Sequence, residues 1–118
     1  MTQIFYWGKE LVSYQANETI TAGQLVTFAD DHKIGVADAD EHPIGVSLED
    51  AKPNEMVTIA LPPAEVVLTA SGNVSHGDAV IPADDGKVSA WDGTSVKFII
   101  GVAKENIADG ETGRVLLR

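Results

Sequence analysis

Gly86-Lys87-Val88-Ser89-Ala90-Trp91-Asp92-Gly93-Thr94, followed by Ile99-Ile100-Gly101-Val102-Ala103, is the stretch on which the fold turns. It reads as strand, tight turn, strand. Side chains alternate with period two in an extended chain, so Val88 and Ala90 share one face, and Phe98, Ile100 and Val102 share one face of the returning segment. Asp92-Gly93 is a short-range hairpin signal, because glycine takes the positive φ that a primed turn demands.

This stretch is half of a duplication. At an offset of 54 positions Gly23 meets Gly77, Val26 meets Val80, and Ala29-Asp30-Asp31 meets Ala83-Asp84-Asp85. Lys33 meets Lys87 and Ile34 meets Val88. Two extra residues at the Asp92-Gly93 turn move the offset to 56, where Ile44-Gly45-Val46 meets Ile100-Gly101-Val102, and Glu49, Glu55 and Leu61 meet Glu105, Glu111 and Leu117. Two copies are too few for a solenoid. They predict an all-β protein, a small barrel- or sandwich-like and β-tulip-like domain in which two similar units share one core. The units span about 15–61 and 69–117 of a single domain, 15–118. Strands are expected at Glu18–Thr21, Gln24–Phe28, Lys33–Ala37, Ile44–Leu48, Met56–Leu61 and Glu65–Thr69, with short spacing and turn residues between them. No window carries sustained helical apolar spacing. Pro62-Pro63 marks a connector or sheet edge. Gly45 and Gly101 sit inside strands at equivalent positions, which suggests a place where the two units cross.

Residues 1–14 form a separate N-terminal arm. Phe5, Tyr6 and Trp7 follow Ile4 and hold three of the seven aromatic residues of the chain in consecutive positions. Either they pack as a first strand into their own core, or they anchor the arm on another subunit, since aromatics bury large area with few rotors.

The 118 residues suffice for one core. There is no cysteine, which removes disulfides, thiolate metal sites and thiol nucleophiles. A net charge of −10 with dispersed lysines and arginines argues against nucleic-acid backbone binding. No apolar run reaches the ~20 residues of a membrane helix. Met1–Tyr14 lacks the basic and apolar regions of a secretory signal, so synthesis is expected in the cytoplasm.

No catalytic, cofactor-binding or metal site assembles from the motifs. Asp30-Asp31 and Asp84-Asp85 occupy the same turn of the repeat, where aspartate bonds its own backbone. Asp38-Ala39-Asp40-Glu41 lacks the later glycine and bidentate glutamate of a calcium loop. His32, His42 and His76 lie too far apart in sequence to suggest zinc ligation. Ile20–Val26 and Val74–Val80 resemble the glycine turn of biotinyl and lipoyl carrier domains, but neither Met-Lys-Met nor Asp-Lys-Ala surrounds Lys33 or Lys87.

The Lys87–Thr94 segment, with Ile100-Gly101-Val102-Ala103, resembles the Lys-Leu-Val-x-Trp-Asp-Gly-Thr…Val-Gly-Ile-x-Ala region of the lambda-like head decoration proteins of tailed phages, with one extra residue before Trp91. The order hydrophobic-x-x-Gly-Asp-x-Val, turn, Gly-Val-Ala, then Gly110-Glu111 leading to Val115, is similar to the wider capsid cement family over about residues 20–117. The apolar Ile4–Trp7 and the Pro62-Pro63 connector depart from that pattern. The resemblance implies a virion protein without enzymatic activity or cofactor. Its partners would be the major capsid protein and itself, as a homotrimer at threefold sites on the capsid surface. Ile4, Phe5, Tyr6 and Trp7 are the candidate capsid or subunit contacts. Trp91 is a candidate trimer contact or a cap on its own core. The alternative is a carbohydrate- or protein-binding β module, which would display an exposed aromatic platform.

Overall fold

The computed structural model describes residues 6–8, 10–93 and 99–118, and only the backbone of Tyr6 and Trp7. The first unit holds β2 (Leu11–Ala16), β3 (Leu25–Asp30), β4 (Lys33–Val36), β5 (Gly45–Ser47) and β6 (Met56–Ala60). They close into a barrel in the order β2-β4-β3-β5-β6. The second unit holds β7 (Ala64–Thr69), β8 (Ala79–Ala83), β9 (Lys87–Ala90), β10 (Gly101–Ala103) and β11 (Thr112–Leu117). Together with β1 (Tyr6–Gly8) these form a six-stranded sheet in the order β1-β7-β11-β10-β8-β9.

The duplication read from sequence is present in the strand pairing, except at one hairpin end, where Asp30 pairs with Lys33 in the first unit and Ala83 with Lys87 in the second. Leu11 pairs with Ala60 and Gln15 with Met56, as Glu65 pairs with Leu116 and Thr69 with Thr112. The Ile20–Ala51 bridge recurs as Val74–Ile107, and the parallel Ala16–Ile34 pair as Ala70–Val88. Turn bonds repeat as well. The Gly23 N–H donates to the Ser47 carbonyl and the Gly77 N–H to the Ala103 carbonyl, both at 2.8 Å. Thr58 N–H donates to the Glu49 carboxylate as Arg114 N–H does to that of Glu105.

The interiors correspond residue by residue. Ala16, Ile20, Val26, Ile34, Ala51, Val57 and Ile59 fill the first barrel. Their equivalents are Ala70, Val74, Val80, Val88, Ile107, Gly113 and Val115, all buried. The exchange of Ala51 and Val57 for Ile107 and Gly113 keeps the volume. A Cβ on Gly113 would run into the Ile107 side chain, which already occupies that space.

The single shared core expected from sequence resolves into two. One is the interior of the first barrel. The other is the interior of the second unit, continuous with Leu25, Ala37, Val46 and Ala60 of the first. Leu25 and Ala60 lie next to Val26 and Ile59 in their strands, so alternation sends them to the opposite face.

Three further readings need correction. Among the described residues β9 and β10 do not pair as the hairpin expected at Asp92-Gly93 requires: β8 pairs with both and lies between them. Gly93 does take a positive φ of 88°, but the tight hairpin is β8–β9, closed by the turn Asp84–Gly86. Gly45 and Gly101 mark close backbone approaches inside each unit, against the carbonyls of Ala60 and Leu116, not a crossing of the units. Glu18–Thr21 contributes a single bridge at Ile20 instead of a strand.

Within residues 1–14, β1 pairs with β7 (Tyr6 with Val66, Gly8 with Ala64), and Leu11–Tyr14 pair along β6. Pro62-Pro63 lies between β6 and β7, and so joins the two units.

Ser47 is the buried polar side chain of the described core. Its hydroxyl donates to the Thr21 carbonyl at 2.7 Å and accepts from the Gln24 N–H at 3.1 Å. The equivalent residue is Ala103, so the fold tolerates a methyl there. Ser47→Ala is expected to lower unfolding free energy by about 1–2 kcal/mol, because it leaves those two groups without the hydroxyl. Urea denaturation of the two proteins measures it.

Candidate contact surfaces

The junction between the units is built from the tip of the second and the flank of the first. The tip is the end of β8 and the turn Asp84–Gly86. The Gly86 N–H donates to the Ala37 carbonyl at 2.9 Å, and the Asp85 N–H to the Asp38 carboxylate at 2.9 Å. In return the Ala39 N–H donates to the Asp84 carboxylate at 3.1 Å, and the Gln24 side-chain amide to the Asp85 carbonyl at 3.1 Å. A Cβ on Gly86 would stand 2.6 Å from that of Gln24, so only glycine lets the two chains lie this close. A cavity of about 40 Å³ remains between Leu25, Pro43 and Gly45 on one side and Ile100, Leu117 and Arg118 on the other.

Comparing equivalent residues shows what this junction covers. Leu25, Ala37, Val46 and Ala60 are fully buried. Their counterparts Ala79, Trp91 and Val102 are half-buried, and Leu116 is 43% exposed. On the tip, Pro82, Ala83 and Gly86 are buried, whereas Phe28 is 53% exposed and Ala29 and His32 are exposed. Each unit carries a tip and a flank. The chain uses the tip of the second and the flank of the first.

Of the contact residues expected from sequence, Ile4 and Phe5 lie outside the described residues. Tyr6 and Trp7 fall in β1, at the edge of the six-stranded sheet. Trp91 follows β9, and its backbone N–H donates to the Ala79 carbonyl at 2.8 Å. It belongs to the half-buried flank of the second unit, away from β1 in strand order. The acidic pairs act in turns as expected. Asp30 accepts from the Asp31 N–H at 2.7 Å, and Asp84-Asp85 form the tip just described. Lys33 and Lys87 open strands β4 and β9, and the Lys33 ammonium donates to the Asn54 side chain.

The family model of phage cement proteins matches residues 8–118. This chain is a member of the phage cement protein family. The match covers nearly all of both units, so the duplication belongs to the domain that defines this cement protein. A search of curated proteins found no match. Among solved structures, the cement protein is similar to the head fiber gp8.5 N base of bacteriophage phi29. The identity is 18%, the TM-score is 0.76, and the likeness covers 98% of this chain and 95% of the other. At that identity the likeness carries the fold, a barrel and a companion sheet, and not the residues of a site. The cement protein is thus a capsid-associated structural protein of a phage head.

Phe28, Val102 and Leu116 were not singled out by reading the sequence. The signal was present in the alignment of the two halves, where Ala37 faces Trp91, Ala60 faces Leu116 and Gly86 faces His32. Those differences lie where one copy is covered and the other is not.

Proposed function

We propose that this protein binds the outer surface of a phage head, contacts the major capsid protein there, and holds the shell together as trimers at threefold sites. The match of the cement family over residues 8–118 carries this reading. The mechanism is linkage. A protein that binds the closed shell better than its loosened form stabilises the shell, by about 2.7 kcal/mol per site at a free concentration 100 times the Kd. Many copies on one particle multiply that term. The net charge of −10 keeps free copies apart before assembly and repels the packaged genome.

Ile4, Phe5, Tyr6 and Trp7 are the proposed shell anchors. An apolar, aromatic segment can bury large area on a partner with little ordering of long side chains. Undecorated heads of a tailed phage are mixed with the protein and sedimented. Saturable binding at a fixed ratio to capsid protein, with heads that then survive greater heat, is the expected result. Removing residues 1–8 should abolish that binding while the circular dichroism spectrum still reports a β fold. Heads that ignore the intact protein would overturn the cement reading, and undiminished binding by the truncated form would overturn the role of the arm.

A further inference from the structure

We propose that copies of this chain join head to tail by repeating, between molecules, the junction that joins the two units within one. The tip of the first unit, Phe28 to His32, seats on the flank of the second unit of the next copy, around Trp91 and Leu116. This deepens the trimer element of the reading above, and is tested with no shell present, so the two stand or fall separately.

The chemistry of the internal junction is retained at the equivalent positions. Asp84-Asp85 has the counterpart Asp30-Asp31, and Asp38 has the counterpart Asp92. Three bonds therefore carry over with their donors and acceptors. The His32 N–H meets the Trp91 carbonyl, the Asp31 N–H turns from Asp30 to the Asp92 carboxylate, and the Gly93 N–H meets the Asp30 carboxylate. The apolar part follows too. Phe28, 53% exposed, comes to the flank where Leu116 is 43% exposed.

Two positions differ, and they differ together. Gly86 against Gln24 becomes His32 against Asp78. The Cβ of His32 prevents an approach as close as the internal one. The contact stands wider at this point, and the imidazole reaches into the gap opposite the Asp78 carboxylate. His32 takes a positive φ of 58° as Gly86 takes 73°, whereas Asp85 takes 64° and its counterpart Asp31 does not, so the tip must turn at Asp31 to seat in the same way.

The contact joins two different surfaces, so it is heterologous and propagates until it closes on itself. Three chains closing a ring would set six units around one axis.

Sedimentation velocity over a range of protein concentrations tests this. The expected result is an oligomer, of three chains where the ring closes, with the 12.5 kDa chain appearing on dilution. Phe28→Glu and Leu116→Glu each place a charge in an apolar contact and should weaken association about 100-fold or more. Leu116→Glu should keep a melting temperature near that of the parent, whereas Phe28→Glu also removes the edge-on contact of its ring with Tyr14 and should melt somewhat lower. Met56→Glu, at a residue 60% exposed on neither surface, should leave the oligomer intact. A single chain at every concentration would overturn the proposal, as would an oligomer that survives both Phe28→Glu and Leu116→Glu.

Discussion

Gly101→Ala is expected to destabilise the protein by about 3 kcal/mol or more, at the upper end of what overpacking costs, and Gly45→Ala by a similar amount. The added methyl group would land on the carbonyl oxygen of Leu116 in one case and of Ala60 in the other. Overpacking against side chains is relieved by new rotamers. Here the obstacle is backbone that belongs to a ladder. Strand β10 is held on both edges, Gly101 opposite Leu117 and opposite Val80, so it cannot slide away without breaking one ladder. Gly72→Ala gives the comparison. Nothing lies within 4 Å of a Cβ there, but the φ of +83° makes any side chain strained. That variant should lose only about 1 kcal/mol. Urea unfolding of the three variants reads the differences. A Gly101→Ala protein as stable as Gly72→Ala would show that the strands can part.

The second large effect is a coupling. Ile107→Ala opens a cavity in the second unit and should cost about 2–5 kcal/mol. Gly113→Val drives a branched side chain into the space of Ile107 and should cost about 3 kcal/mol or more, as severe overpacking does. Together they restore the Ala51–Val57 pair of the first barrel, which packs with both residues buried. The double variant should therefore lie within about 2 kcal/mol of the parent, far from the sum of the single effects, as contacting residues do when they share one space. Additive losses would show that the two interiors, alike in sequence, are not alike in shape.

Much of this fold could be read from the residues. The offsets of 54 and 56 identify equivalent strands, and alternation in Met56–Leu61 and Glu65–Thr69 names their buried faces. The failures came from non-local pairing. Asp92-Gly93 has the chemistry of a hairpin turn, but the strand beside β9 is β8, closed by a turn that the sequence writes less plainly as Asp84-Asp85-Gly86. The strand glycines suggested a crossing of the units, but the backbone that approaches each of them belongs to its own unit and depends on register, which period-two patterns do not give. On the contact surfaces, Trp91 was legible as a large residue beside a turn. Phe28 stands at the end of the expected strand Gln24–Phe28, where the pattern does not set it apart from a core residue. Its exposure arises because β3 runs beyond the barrel interior, from buried Leu25 and Val26 to exposed Phe28–Asp30.

The pairing of β1 with β7 has a consequence for synthesis on the ribosome. Every ladder of the first barrel joins residues between 11 and 60, so that barrel can close as soon as those residues have emerged. Tyr6 must wait for Val66. For the time between, Tyr6–Gly8 has no strand to pair with, and long-range pairings of this kind form late. Tyr6–Gly8 are thus fixed after the barrel that follows them in the chain, and they enter the half of the molecule made later.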